Sequence, residues 1–162
     1  MERRKRFALI SLVLMIAGCT PTAQVQSLRD PSVQMSSIAQ LDGRRMQGLW
    51  HEAAGFPRQT GCRPATVGLT IEITGSDCFL PVPRQGASLA VSGPGRLTAG
   101  NGTEYWVLWV DADYRTMVIG DPQGRFGGIL NRDVNISADR LLAAKRVLEW
   151  NGYRMTGLVV AD

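Results

Sequence analysis

Apolar and polar residues alternate along several stretches of this chain, which is the pattern of β-strands with one buried face. After residue 48, every second residue falls on one side of an extended chain. That side carries Trp50, Glu52, Ala54 and Phe56. Residues 66–74 repeat the alternation and predict another strand, and shorter strands are expected near residues 79–82 and 88–91. The pattern favours a mainly β fold.

A later stretch, Glu104 to Asp111, is apolar on both faces, which predicts a strand covered on both sides. One face carries Tyr105, Val107 and Trp109, and the pattern leaves open which face points inward. Residues 138–151 have helical periodicity, with an apolar stripe of Leu141, Ala144, Val147 and Leu148. Ser137 is expected to cap this helix and Asn151-Gly152 to end it. The helix would supply the outer cover.

The N-terminus has the features of a lipoprotein export signal. A basic segment, Arg3 to Arg6, precedes an apolar run too short to span a bilayer, and Ile16-Ala17-Gly18-Cys19 matches a bacterial lipobox. We therefore expect cleavage after residue 18 and lipidation of Cys19, with a plain signal peptide as the alternative. The predicted location is the bacterial cell envelope. Thr20 after the cysteine favours the outer membrane, facing the periplasm.

The rest of the chain predicts a short tether and one domain. Residues 19–40 are rich in Ser, Gln, Thr and Pro and are interpreted as a tether that ends along the base of the domain. Residues 41–162 form the domain, which opens on a short helical turn at 42–46. The whole chain has a formal charge of +4, but four basic residues and one acidic residue lie in the export signal. The nearly neutral remainder argues against nucleic-acid binding.

Three motifs resemble the conserved regions of the lipocalins. The first is Gly48-Leu49-Trp50, with Leu49 and His51 where the family usually has Thr and Tyr. The second is the turn Asp111 to Arg115, and the third runs from Phe126 to Arg132. The resemblance is greatest to lipidated bacterial lipocalins and the apolipoprotein D-like group. It implies an up-and-down antiparallel β-barrel with one C-terminal helix. Because the span between the first two motifs is short, we expect this barrel to have eight strands or slightly fewer.

The resemblance also implies a site inside this barrel. Its floor would consist of Gly48, Trp50 and Arg132, with Arg132 packed over the Trp50 ring. The lumen would be lined by Glu52, Ala54, Phe56, Tyr105, Val107 and Trp109. The Glu52 carboxylate would either pair with an Arg or meet the polar head of a ligand.

The remaining candidates for chemistry are few. Cys62 and Cys78 are expected to form a disulfide in an oxidising periplasm, closing a loop of about 15 residues worth about 3 kcal/mol; two separate thiols are the alternative. His51 is the only histidine of the chain, and its position opposite Trp50 favours a structural role on the outer wall. We therefore expect no metal site and no cofactor.

Three classes of function follow from these observations. The first is a membrane-anchored carrier whose partners are a small hydrophobic molecule or lipid and the membrane itself. The second is an envelope-maintenance or interaction lipoprotein with a closed barrel and no ligand. The third, an enzyme, is disfavoured because no acid/base pair or activated nucleophile can be named. A monomer or weak dimer is expected.

Overall fold

The computed structural model describes residues 26–57, 66–69, 72–74, 87–99 and 102–161. A short helix, α1 (Gly43–Met46), leads into the first strand, and a longer one, α2 (Ala138–Trp150), follows the eighth. The strands are β1 (Gly48–Gly55), β2 (Thr66–Leu69), β3 (Glu72–Thr74), β4 (Ala87–Gly93), β5 (Arg96–Ala99), β6 (Glu104–Val110), β7 (Thr116–Gly120) and β8 (Gly127–Asn131). A 3-10 helix (Met155–Gly157) and β9 (Val159–Val160) complete the described chain.

Each strand from β1 to β8 pairs antiparallel with the next, and β8 pairs back with β1. The other edge of β1 is shared, because β2 pairs with residues 48–51 and β9 pairs with Ala54 and Gly55. The sequence prediction of an up-and-down antiparallel barrel followed by one helix is confirmed. One end, here called the floor end, carries α1 and the β6–β7 turn. The upper end carries the β7–β8 turn.

The prediction of one strand over residues 66–74 is wrong. β2 and β3 pair antiparallel, with Gly68 opposite Thr74 and Leu69 opposite Ile73, so the chain reverses between them. The alternation of apolar and polar residues did not reveal this reversal, because both arms of a hairpin keep the same period of two. In addition, Thr70 and Ile71 are not residue types that favour turns. The strand predicted near residues 79–82 lies outside the described residues.

Two separate clusters of buried side chains form the core. The inner cluster lies on the inward faces of the strands, with one residue from α1 and one from the segment between β7 and β8. It consists of Met46, Trp50, Leu97, Ala99, Tyr105, Val107, Met117, Ile119, Phe126 and Leu130. The outer cluster lies between the barrel wall and α2 and consists of Ala53, Ala54, Phe56, Leu108, Val118, Ile129, Ala144, Leu148 and Tyr153. β7 shows the division simply, since Met117 and Ile119 belong to the inner cluster and Val118 to the outer one.

The helix α2 runs up the outside of the barrel from the floor end to the upper end. Ala144 and Leu148 are buried in its predicted apolar stripe, and Asn151 and Gly152 end it as expected. Ser137 occupies the N-cap position, but the predicted side-chain cap is absent; its hydroxyl accepts from Arg140 Nε instead (3.1 Å). In the part of the chain that the structure describes, no helix is long and apolar enough to cross a bilayer.

The described part of the predicted tether packs against the barrel. Backbone amides of Leu28, Asp30 and Ile38 donate to the carbonyls of Gly124, Gly152 and Val107, respectively, at 2.8 to 3.0 Å. Arg29 is only 3% exposed, and its guanidinium donates to the carbonyls of Asn151, Pro122 and Val33. From Ser27 onward, this segment therefore belongs structurally to the domain.

Candidate functional site

The floor of the barrel is built around Trp50, which is completely buried. Its indole Nε1–H donates to the Met46 carbonyl at 2.8 Å, which ties the start of β1 to α1. The Arg132 guanidinium carbon lies 3.9 Å from the Trp50 ring centroid, the arrangement that the resemblance implied. A cation over an indole face contributes about 0.5–2 kcal/mol.

Arg132 also joins the segments that meet at the floor end. It donates to the carbonyls of Arg45 (2.6 Å), Leu49 (3.1 Å) and Tyr114 (3.3 Å). Burial lowers the pKa of this guanidinium from its ordinary value, although an arginine still keeps its charge at neutral pH. One side chain thus holds three carbonyl oxygens and one indole face together.

Gly48 is required where β1 crosses this floor. Its φ is +105°, and a Cβ atom at this position would lie 2.9 Å from Arg132 Nη1. A side chain here would therefore meet both backbone strain and a collision with the guanidinium. The structure thus brings together all three residues that the resemblance assigned to the floor.

The turn of the second motif closes the floor end from the opposite side. The Asp111 carboxylate accepts from the backbone amides of Arg115 (2.6 Å) and Thr116 (2.7 Å). Tyr114 has a φ of 58°, its hydroxyl accepts from the Asp42 amide (3.0 Å), and the Arg45 guanidinium lies 4.3 Å from its ring centroid. The motif therefore fastens the N-terminal segment to the barrel.

On β6, the structure places only two of the three predicted lumen residues inside the barrel. Tyr105 and Val107 belong to the inner cluster, whereas Trp109 packs against the outer cluster. The prediction for Trp109 is wrong because the β6–β7 register shifts between Val107 and Trp109. A β-bulge adds one residue to a strand and so exchanges its faces from that point on.

A second irregularity on β1 has the same consequence. Glu52 pairs with Leu130 of the inner cluster, but Ala54 pairs with Ile129 of the outer cluster, and the register shifts between Glu52 and Ala54. Ala54 therefore faces α2 rather than the lumen. Phe56 also lies outside, where its ring stacks on Tyr153 with centroids 5.6 Å apart. Both lumen predictions are corrected by this bulge.

The inner face also includes residues that the sequence analysis did not assign to the lumen. The inward position of Met117 and Ile119 could have been predicted from their alternation with Val118. That of Leu130 could have been predicted in the same way from its alternation with Ile129. Phe126 follows the β7–β8 turn, where no period applies, and its ring lies 5.0 Å from that of Tyr105. The other unassigned members of the inner cluster are Met46, Leu97 and Ala99.

Glu52 introduces a polar group into this apolar interior. It is 3% exposed, and its strand neighbours on the same face belong to the inner cluster. His51 lies on the opposite face beside Asn131, whose carboxamide oxygen accepts from Arg140 and Thr116. Among the described residues, no group of three or more His, Cys, Asp or Glu side chains could hold a metal ion. Cys19, Cys62 and Cys78 lie outside the described residues.

Comparison with known proteins agrees with this architecture. The family model described as a Lipocalin-like domain matches residues 72–162, more than half of the chain. The fold is similar to the crystal structure of the major allergen Per a 4 from cockroaches, with a TM-score of 0.59, 14% identity, and coverage of 82% of this chain and 96% of that one. It is also similar to the solution structure of lipocalin 12 from rat epididymis, with a TM-score of 0.57, 13% identity, and coverage of 86% and 93%, respectively.

These structural likenesses, at such low identities, concern the fold alone. A comparison with curated protein sequences finds no match. The family model, in contrast, matches the sequence itself across β3 to β9, including the Asp111 turn and Arg132. The chain therefore belongs to the family of proteins with a Lipocalin-like domain.

Proposed function

We propose that this protein is a membrane-anchored lipocalin that binds a small hydrophobic molecule, such as a fatty acid or a lysophospholipid, inside its barrel. The observation that carries the proposal is the inner cluster, a set of apolar side chains that lie mostly on the inward faces of β1 and β5 to β8. This cluster is distinct from the outer one, which packs the barrel against its helix. A ligand bound among the inner-cluster side chains would therefore leave the packing of α2 undisturbed.

The physical chemistry of this interior suits an acyl chain. Burial of apolar surface contributes roughly 25 cal/mol per Å², which is enough for micromolar affinity after the costs of ordering are met. Met46 and Met117 belong to the inner cluster, and methionine side chains adapt readily to differently shaped partners. Glu52 is the described acidic group that a polar ligand head could meet.

Binding can be tested by titrating the purified protein with fatty acids and lysophospholipids while following tryptophan fluorescence. The informative variant is Ala99→Phe, because Ala99 is a small, buried member of the inner cluster. In a barrel with room for a ligand, the larger side chain removes binding and leaves the melting temperature nearly unchanged. The matched control is Leu142→Phe on the exposed face of α2, which should alter neither property.

A second candidate function is a closed envelope lipoprotein without a ligand. It is favoured by the contact between Tyr105 and Phe126, whose rings are nearly completely buried in the inner cluster. If side chains fill the barrel, Ala99→Phe overpacks it and lowers the free energy of unfolding by about 1–3 kcal/mol. Absence of saturable binding together with this loss would replace the carrier by the closed lipoprotein.

The anchor forms a separate part of the proposal. Support comes from the basic segment, the short apolar run and the lipobox that ends at Cys19. Two or three acyl chains on this residue would hold the protein firmly, since each buried CH₂ adds about 0.8 kcal/mol. Cys19→Ser should release the protein from the membrane fraction into the aqueous phase on detergent partitioning. Unchanged partitioning would remove the anchor from the proposal.

A further inference from the structure

The N-terminal segment approaches the barrel at its upper end. Ser27 Oγ donates to the Gln123 carbonyl (3.0 Å), and the Leu28 amide donates to that of Gly124 (2.8 Å). Arg154 Nη1 donates in turn to the Ser27 carbonyl (2.9 Å). The described chain thus begins beside the β7–β8 turn, on the side of the barrel opposite the Trp50 floor.

Little chain separates this point from the proposed anchor. Cys19 and Gln26 are seven residues apart, and a fully extended chain spans at most about 3.3–3.6 Å per residue. A lipid on Cys19 would therefore hold the upper end within about 25 Å of the bilayer surface. The floor end is separated from the upper end by roughly the length of a strand, or about 20 Å.

The surface at this end carries a large exposed aromatic residue. Trp150, the last residue of α2, is 73% exposed, and the next residue, Asn151, receives the hydrogen bond of Arg29 through its carbonyl. Tryptophan is the residue most typical of the membrane–water interface, because its ring is apolar and its N–H is polar. Exposed Val159 and Val160 are paired with the upper part of β1 at the same end.

Charge contributes less than the tryptophan to the character of this surface. Arg146 lies one helical turn before Trp150 on the same face, and Arg154 follows in the chain, so both could meet anionic lipid headgroups. Asp30 and Glu149 are also exposed at this end, and the Asp30 carboxylate interacts with Arg154, so the two acidic residues offset this attraction. An orientation toward the membrane would therefore depend on the aromatic side chain and the short tether.

We propose that the upper end of the barrel is held against the bilayer, with Trp150 in the headgroup region. The inference rests on the lipidation of Cys19 that forms part of the proposed function. It extends that function, because a hydrophobic ligand passing the β7–β8 turn would exchange directly with the membrane rather than through water. The surface beside the tether thus acts as a membrane-facing platform.

The test uses the mature lipoprotein in vesicles of phosphatidylethanolamine and phosphatidylglycerol that carry brominated acyl chains. Bromine quenches tryptophans close to the lipid, so Trp150→Phe should reduce the quenching at least about twofold. The matched control is Trp109→Phe, since Trp109 packs against the outer cluster on the barrel wall. This control should leave the quenching nearly unchanged.

Each outcome has a definite consequence. Equal quenching of the parent protein and Trp150→Phe, with lipid found on Cys19 by mass spectrometry, would overturn the orientation and leave the anchor standing. Absence of lipid on Cys19 would overturn both the anchor and this inference. Analytical sedimentation of the Cys19→Ser protein provides a further check. If this protein forms a dimer and the Cys19→Ser, Trp150→Phe double variant does not, the surface binds a second copy of the chain instead of the membrane.

Discussion

The inner and outer clusters of this barrel are both apolar, but they are held in place in different ways. The outer cluster is enclosed by the chain itself, because α2, the N-terminal segment and the C-terminal residues all pack over it. In the inner cluster, the hydrogen bonds of Trp50 and Arg132 lie at the floor, and the apolar side chains of Val107, Met117 and Ile119 pack above them. The inner cluster is therefore where a foreign apolar molecule could take part in the packing.

Tyr153 shows how closely the outer cluster is specified. Its buried hydroxyl accepts from the Asp121 amide (3.0 Å) and donates to the Phe126 carbonyl (2.8 Å). The ring lies against Gly120 and Gly127 of β7 and β8, where a Cβ atom on either glycine would collide with it. A side chain of a different shape at position 153 would therefore disturb this close packing.

The largest expected effect concerns the floor of the inner cluster. Trp50→Ala should lower the free energy of unfolding by about 3–5 kcal/mol, because it removes a fully buried indole. Arg132→Ala should also destabilise the protein, and the double variant should lose less than the sum of the two, since both changes remove one shared contact. Denaturant unfolding of all four proteins measures this coupling. Strict additivity would contradict the contact.

A matched pair of leucines separates the two clusters. Leu148→Ala in the outer cluster and Leu130→Ala in the inner one each remove a buried side chain, at a cost of about 2–5 kcal/mol. Only Leu130→Ala should weaken fatty-acid binding, by about tenfold, because the acyl chain then packs against a smaller side chain. Titration and thermal melting of both variants test the difference. Equal effects on the dissociation constant would show that the clusters are not functionally distinct.

Tyr153 predicts how the stability of the outer cluster depends on pH. Burial raises the pKa of its hydroxyl well above the ordinary value, so the folded state retains a proton that the unfolded chain releases at about pH 10. The stability that depends on this proton is therefore fully present below pH 10, and it is lost as the pH rises further. Tyr153→Phe should cost about 1–3 kcal/mol at pH 8, because it removes two buried hydrogen bonds.

The same variant should lose less stability than the parent protein between pH 9 and pH 11, because it lacks the titrating hydroxyl. Unfolding free energies of both proteins across this interval provide the measurement. Parallel pH profiles would show that Tyr153 does not ionise on unfolding in the expected way.

The smallest effect is expected at Glu52, the buried carboxylate on the inner face. Glu52→Gln replaces the carboxyl by a neutral amide, so the affinity for fatty acids relative to that for lysophospholipids should change by up to about tenfold if this side chain meets the ligand head. Competition between the two ligand classes measures this ratio. An unchanged ratio would indicate that Glu52 is engaged with another protein group and does not face the ligand.

Much of the fold could be predicted from local patterns. The helix at 138–150, the turn at Asp111 to Arg115 and the alternation of β1 each depend on residues close in sequence. The floor was accessible through the lipocalin-like motifs, since Gly48, Trp50 and Arg132 are recognised by residue type and spacing. The site was harder, because a lumen residue is defined by the direction of its side chain, which a bulge reverses without a signal in the sequence.

The sequence by itself determined that this chain is rich in β-strands and has one C-terminal helix, because strand and helix periods are properties of consecutive residues. The barrel was implied by the resemblance of three motifs to the lipocalins. Only the tertiary structure decided that Ala54, Phe56 and Trp109 face the helix while Tyr105 and Val107 face the interior. The reason is that pairing with β7 and β8 and packing against α2 determine where β1 and β6 bulge. Likewise, only contacts distant in sequence placed Arg29 beneath the end of α2 and so directed the N-terminal segment to the upper end of the barrel.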